Sequence, residues 1–280
     1  MAKIGVLHPG NMGVSLAVSA KTTGNEVYWA SEGRSEETRG RAEKHGLIEL
    51  ESVRAICEQS EGIICICPPH GAEHVAREVA EYGFSGLYLD ANAISPTRAR
   101  TIAGIISGAG AQYVDGGVIG GPAWKPNSTY LHLSGANAEA VADWFRDGLV
   151  VTNLLGSDVS KASAVKMCFS AYTKGTLALF YGSLAASDAL GVREALIEQW
   201  SRYSGMADLA KKAEGGADGM TAKAWRWIDE MEQISQTFES AGLPGGFHAA
   251  AAEVYRRSSS LREVEDPSIE MVLQKLLGRD

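Results

Sequence analysis

Lys166, Ser170 and Lys174 lie four residues apart inside a proline-free run from 156 to 191. At helical spacing they share one face, and that polar face points at water, a cleft or a ligand. Taken alone, a lysine there is a solvated helix edge. A second group opens the chain: His8, Pro9, Gly10, Asn11, Met12 and Gly13 follow the apolar run KIGVL and precede a helical stretch. A glycine turn between a strand and a helix suits a dinucleotide. Gly10 lets the backbone approach a pyrophosphate, and Gly13 lets helix and strand pack closely. The helix N-terminus adds amide donors and positive dipole. His8 stands where the first glycine of that fingerprint belongs. After the next strand, WASEGRSEE supplies Ser31, Arg34 and Ser35. An acidic side chain there accepts from a ribose 2′-hydroxyl, whereas an arginine accommodates a 2′-phosphate. The run therefore favours NADP over NAD, with Glu32 as a counter-signal. His70 and His74, four apart, could share a metal, but no third ligand is near in sequence, so no metal is expected.

These residues need elements to place them. Residues 3–8 and 26–30 read as strands, with a helix at 12–22 between them and a charged helix at 35–45 after them. GIICIC at 62–67 is an almost wholly apolar strand, as expected where helices cover both faces of a parallel sheet. Pro68-Pro69 ends it, and a helix follows at 72–81. A strand at 87–90 leads to a helix at 96–107 with proline in its first turn. A strand beginning at 113 runs into GGVIGG, and strands at 130–133 and 149–154 bracket a helix at 138–146. This alternation predicts an α/β, doubly wound Rossmann domain over residues 1–156.

Strand patterns stop after Leu155. The spacing predicts helices at 221–240, 247–257 and 268–277, with EGGADG at 214–219 as a flexible loop. Residues 157–280 are thus expected to form an all-α domain, joined to the first by the long helix at 156–191. Ser157 or Asp158 can cap that helix and Gly191 can end it. Val159, Ala162, Val165, Phe169, Tyr172, Thr176 and Leu179 form its apolar face. From 177 to 186 it is apolar nearly all round, which implies burial in a core or a subunit interface. The run is too short and too closely flanked by charge to span a membrane. Trp225, Trp227, Met231 and Ile234 make a further helix stripe, for core or dimer interface. With so few polar groups in the second half, a homodimer through the helical domain is expected.

The chain has 280 residues and a net charge of −8, which argues against nucleic acid or an anionic membrane as partner. MAKIGVLHPG has no apolar segment of signal-peptide length. The 4 cysteines, at 57, 65, 67 and 168, lack metal-like spacing and read as reduced thiols, so a cytoplasmic protein is expected. Cys65 and Cys67 share a strand face and are expected to be buried.

IGVLHPGNMG, CPP at 67–69, LDANAISPTRARTIA, VDGGVIGG and GSDVSKASAVKM occur in the order found in one family. The chain resembles the β-hydroxyacid dehydrogenases, relatives of 6-phosphogluconate and 3-hydroxyisobutyrate dehydrogenases, over most of residues 1–175. HPGNMG and the stretch 223–255 resemble a branch whose helical C-terminal domain has no settled function. The resemblance implies hydride transfer between NADP(H) and a small hydroxy or keto compound. It implies Lys166 as general acid or base, with Ser170 at the position of a family asparagine. An ordinary lysine has a pKa of about 10.4, so burial or a neighbouring cation such as Lys174 should lower it. The alternative is a charged Lys166 that stabilises developing negative charge. Asn92, Ser95, Gly120 and Gly121 match substrate-side positions, and Cys67, Pro68 and Pro69 match a loop near the nicotinamide. Ser95 reads equally as a helix cap before Pro96. Two departures count. Ile119 replaces a family serine, and Ser170 replaces the asparagine. Both suggest a more apolar substrate and leave two alternatives, an imine reductase or a non-catalytic NADP-binding protein. Imine reductases typically carry Asp or Tyr where this chain has Lys166.

Overall fold

The computed structural model describes residues 1–213 and 218–279. The chain divides into two compact units, Met1–Met167 and Cys168–Asp280. The first unit begins with β1 (Lys3–Val6), α1 (Asn11–Thr22), β2 (Glu26–Ala30), α2 (Glu36–Lys44), β3 (Ile48–Leu50) and α3 (Val53–Gln59). It continues with β4 (Gly62–Cys65), α4 (Ala72–Glu81), β5 (Leu87–Asp90), α5 (Pro96–Gly108), β6 (Gln112–Gly120), β7 (Thr129–Ser134), α6 (Ala138–Ala142) and β8 (Val150–Leu154). The strands form one sheet in the order β3-β2-β1-β4-β5-β6-β7-β8. Among the described strands only β6 and β7 run antiparallel. The chain winds outward from β1 to β3, then returns to β4 on the other side. That reversal opens a crevice at the carboxyl ends of β1 and β4, the place where doubly wound sheets bind ligands.

Alternation along the central strands covers both faces. Ile64, Leu89 and Val114 pack into one core with Val14, Ala17 and Trp144. Their neighbours Ile63, Tyr88 and Tyr113 pack into the other with Ile56, Ala76 and Ile102. Successive residues of a strand point to opposite faces, so a strand buried on both sides reads as a continuous apolar run. The sequence missed β3 and α3. β3 is a three-residue edge strand with two exposed side chains, and it carries no alternating signal. The strand expected through Cys67 ends at Cys65, because the Cys67 amide turns aside to donate to Asn92. Cys65 is buried as expected, whereas Cys67 is half-buried.

α7 (Lys161–Ala189) follows, and the second unit adds α8 (Arg193–Arg202), α9 (Ala207–Ala213), α10 (Asp218–Ser240), α11 (Gly246–Ser258) and α12 (Ile269–Leu276). The expected loop at 214–219 lies outside the described residues at 214–217, and 218 and 219 belong to α10. α7 starts later than its expected caps at Ser157 and Asp158. It ends as expected: Gly191 has φ +70°, and the Val192 amide donates to the Ser187 carbonyl.

The faces of α7 in the second unit differ from the expected ones. Phe169, Tyr172, Thr176 and Leu179 are exposed, while Ala171, Gly175, Ala178, Tyr181 and Leu184 are buried. The small residues decide this. A side chain at Gly175 would lie 3.0 Å from the Phe247 ring, so α11 seats against the small-residue face. Lys174, expected as a cation for Lys166, forms an ion pair with the buried Glu230 and lies 5.5 Å from the Trp227 ring. Its charge is offset within the helical unit. Met231 and Ile234 are core residues, and Trp225 is partly exposed.

Candidate active site

At the end of β1 the chain turns through His8, Pro9 and Gly10 into α1. A Cβ on Gly13 would stand 2.3 Å from the His8 carbonyl oxygen, so only glycine lets α1 start this close to the strand. Gly10 differs, since a Cβ there would meet nothing within 4 Å. No contact inside the protein demands glycine at 10, and its bare backbone faces open space. No side chain caps α1 and no acidic residue occupies its first turn, so its leading amides stay available to an anion. Asn11 is exposed and Met12 half-buried.

Ser31, buried at the end of β2, accepts from the Arg39 guanidinium through its carbonyl. Ser35 caps α2 by accepting from the Thr38 amide at 3.3 Å. Arg34 lies between them, half-buried. Its Nε, like the Nδ1 of His8, is buried without a hydrogen-bond partner. These features fit a dinucleotide: a bare turn, an uncapped helix start, and unpaired nitrogens at two adjacent strand ends.

Beyond β4, Pro68 and Pro69 form a short turn, and Arg98 of α5 donates to the Pro69 carbonyl at 3.3 Å. Asn92 ties this turn to β5. Its Oδ1 accepts from the Cys67 amide at 2.5 Å, and its Nδ2 donates to Asp90 at 2.7 Å and to the Cys65 sulfur at 3.4 Å. Ser95 is buried and caps α5 by accepting from the Arg98 amide. Gly120, at φ +112°, ends β6 where a Cβ would lie 2.1 Å from the Ser128 carbonyl oxygen. The Gly121 carbonyl accepts from Thr129.

Of the residues that seat Lys166, Asp115, Gly117 and Ser163 stand in the sequence motifs without a role, and Ser134 lies outside them. Asp115 and Ser134, facing each other across β6 and β7, are fully buried. Asp115 Oδ2 accepts from the Ser163 amide at 2.9 Å and from the Ser134 hydroxyl at 3.1 Å, while Oδ1 accepts from the Ser163 hydroxyl at 2.5 Å. Ser134 Oγ in turn accepts from the Ala162 amide at 3.1 Å. A strand carboxylate, remote in sequence, thus caps α7 in place of a local residue. Two residues on, a Cβ at Gly117 would lie 2.4 Å from the Ala162 carbonyl oxygen and 3.2 Å from Lys166 Cβ. α7 therefore rests directly on β6 with Lys166, half-buried, beside Gly117. Ser170, one turn on, is buried. An aspartate just before two glycines inside an otherwise apolar strand was the available signal.

Asp90 and Asp115 are register partners on β5 and β6. Burial raises the Asp115 carboxyl against its hydrogen bonds from Ser163. Burial raises Asp90 to about 7, opposed by the Asn92 hydrogen bonds and assisted by Asp115. The folded protein then keeps a proton on Asp90 that the unfolded chain has lost. Its contribution to stability is fully present below the unfolded pKa near 4 and is lost as pH rises through about 7. We expect the melting temperature to fall between pH 4 and 7 and Asp90→Asn to flatten that slope, an effect on the order of 4 kcal/mol. Parallel melting curves against pH for the two proteins would dismiss this.

Comparison with known proteins sets this geometry in a family. Residues 3–145 match the model of the NAD-binding domain of 6-phosphogluconate dehydrogenase. The chain belongs to the 6-phosphogluconate dehydrogenase-like superfamily. Its members share the NAD(P)-binding fold built here by β1 to β8. Within this superfamily member, residues 187–258 match a domain of unknown function, DUF1932. An uncharacterised 28.5 kDa protein of Methanothermus fervidus is 28% identical over 211 residues, 75% of this chain and 81% of its own. A conserved protein of unknown function, described as structurally similar to 3-hydroxyacid dehydrogenases, is 25% identical with TM-score 0.66, covering 92% of this chain and 99% of its own. The Mycobacterium tuberculosis 3-hydroxyisobutyrate dehydrogenase, solved with L-serine, has 17% identity and TM-score 0.69, with 99% of both chains covered. Imine reductases have the same fold. Among the described residues, no helix is long and apolar enough to cross a membrane.

Proposed function

We propose that this protein is an NADP-dependent oxidoreductase acting on a small hydroxy or keto compound, with Lys166 as general acid–base. The observation that carries this reading is the seating of Lys166. Asp115 holds the start of α7 and Gly117 admits it onto β6, two strands from the crevice at β1 and β4. Bound NADPH supplies the hydride. The backbone of the turn from His8 to Gly13 and the amides at the start of α1 hold the pyrophosphate; Ser31, Arg34 and Ser35 flank the adenosine ribose. Cys67, Pro68 and Pro69 flank the nicotinamide. Lys166 gives a proton to the substrate oxygen in reduction and takes the hydroxyl proton in oxidation. Ser170 assists it, and Asn92, Ser95, Gly120 and Gly121 line the substrate side. Asn92 and Ser95 act there mainly by fixing the loop, because both bond within the chain. Ile119 gives the substrate an apolar neighbour.

That apolar side chain also supports a second reading, reduction of C=N bonds. NADPH oxidation over keto acids, aldehydes, ketones and cyclic imines separates the two, with Lys166→Ala alongside. Tight NADPH binding with no turnover of any member would instead mark a non-catalytic binding protein.

We take the working form to be a cytoplasmic homodimer through the helical domain, with domains at 1–156 and 157–280. The thiols of Cys57, Cys65, Cys67 and Cys168 are free, as suits a reducing compartment. Phe169, Tyr172 and Leu179 form an exposed apolar stripe along α7, with Leu190 exposed just past its end, and a second copy would cover it. Light scattering should give twice the chain mass, and Tyr172→Glu should halve it; a monomer at micromolar concentration would remove the dimer.

A further inference from the structure

His8 takes a backbone conformation that few side chains accept. Its φ is +153°, in a region populated almost only by glycine, and the fingerprint has glycine at this position. A strained residue persists where something else requires it. Its ring Nδ1 is buried without a partner, and so is the Nε of Arg34 at the neighbouring strand end. Two buried nitrogens without a hydrogen-bond partner point to a shared one. The carboxylates nearby are Glu32, exposed in the same loop, and the buried Asp90, which acts on Cys67 alongside Arg34. Burial and then the Arg34 guanidinium push the His8 ring down to about 4, which leaves it neutral at pH 7. From the end of β4, Cys67 feels the same guanidinium. Its thiol is raised by its hydrogen bond with Cys65 and by burial, and stays neutral. α1 contributes no acidic residue in its first turn, and Glu32 is exposed.

We propose that His8 and Arg34 clamp one phosphomonoester dianion, the 2′-phosphate of the adenosine ribose, and that the imidazole takes up a proton as the phosphate docks. This rests on the NADP reading. Both unpaired nitrogens then donate to phosphate oxygens, in charge-assisted hydrogen bonds. The dianion favours the charged ring and offsets the repulsion from Arg34. Affinity for NADPH should therefore rise as pH falls toward neutrality, while NADH, which lacks the phosphate, shows no such linkage. The phosphate's own second ionisation near pH 6 acts in the opposite sense, so the count of protons belongs at pH 7 and above.

The experiment titrates NADPH and NADH into the wild-type protein, His8→Gly and Arg34→Ala at pH 7, by calorimetry in two buffers of different ionisation enthalpy. Melting temperatures are recorded without cofactor. The wild type should bind NADPH at least about tenfold tighter than NADH and take up a proton only with NADPH. His8→Gly should melt higher, because glycine relieves the backbone, yet bind NADPH about tenfold more weakly with no proton uptake and undiminished NADH binding. Arg34→Ala should lose the same preference. If His8→Gly kept both its NADPH affinity and the proton uptake, the clamp would be overturned while the NADP reading stood. If the wild type bound NADH as tightly as NADPH, the NADP reading itself would fall, and the clamp with it.

Discussion

Lys166→Ala should lower kcat by about 10²- to 10⁴-fold, the range expected for loss of a positioned general acid, and leave the dissociation constant of NADPH within about twofold of wild type. The reasoning is local. As hydride reaches the carbonyl carbon, the oxygen gains negative charge and needs a proton. Lys166 is half-buried beside Gly117 and fixed by the helix start below it. In the proposed reaction its removal takes away the group at the reacting oxygen and none of those assigned to the dinucleotide. Lys166→Arg separates proton transfer from charge stabilisation. Arginine keeps the positive charge but does not give up a proton near neutral pH. An acid–base role predicts that Lys166→Arg is nearly as slow as Lys166→Ala; a purely electrostatic role predicts substantial recovery. Retention of more than about a tenth of wild-type kcat by Lys166→Ala would remove the lysine from the chemistry.

The turn at the start of the chain was legible because its signals are local. A strand, a glycine turn and a helix start are contiguous in residues 3–22, and repeated β/α units around them predict a doubly wound sheet. The substrate half depends on contacts between residues remote in sequence. Asp115 and Ser163 are 48 positions apart, and no local pattern links them. For the same reason Ser157 and Asp158 looked like caps, since each stands where a local N-cap would. Ser160, at φ +87°, turns the chain first, and the cap comes from β6. On α7 the periodicity was right, but within the second unit a different face is buried. Phe169, Tyr172 and Leu179 are the larger apolar residues, but Ala171, Gly175 and Ala178 allow a helix to approach, and close packing selected the smaller set. The larger set was left as the exposed stripe. His8, read only as an imperfect glycine position, became informative through its backbone angle and its unpaired ring nitrogen, which sequence does not display.

Asp115→Ala should destabilise the protein by about 3–5 kcal/mol, the cost of removing one partner from a buried charged network. Two Ser163 donors and the Ser134 hydroxyl would be left facing an apolar methyl group, and the start of α7 would lose its acceptor. Such a loss alone would not distinguish a structural prop from a residue that positions Lys166. Asp115→Asn makes that distinction. It keeps the shape and one carbonyl acceptor, so the protein should fold, but the amide group turns a donor toward donors and loosens the first turn of α7. Lys166 lies one turn beyond that point. The expected result is a kcat lowered about tenfold or more, with NADPH affinity unchanged, since the turn at His8 to Gly13 sits on β1 and not on β6. Ser163→Ala, which leaves its amide bonded to Asp115, should show the same pattern more weakly. The two carboxylates also share a sign. Burial raises both, so the stability that Asp115 loses with rising pH should disappear in Asp115→Asn, as Asp90→Asn removes its own share. If Asp115→Asn matched wild type in kcat and in melting temperature across pH, the strand carboxylate would not be what holds Lys166 in place.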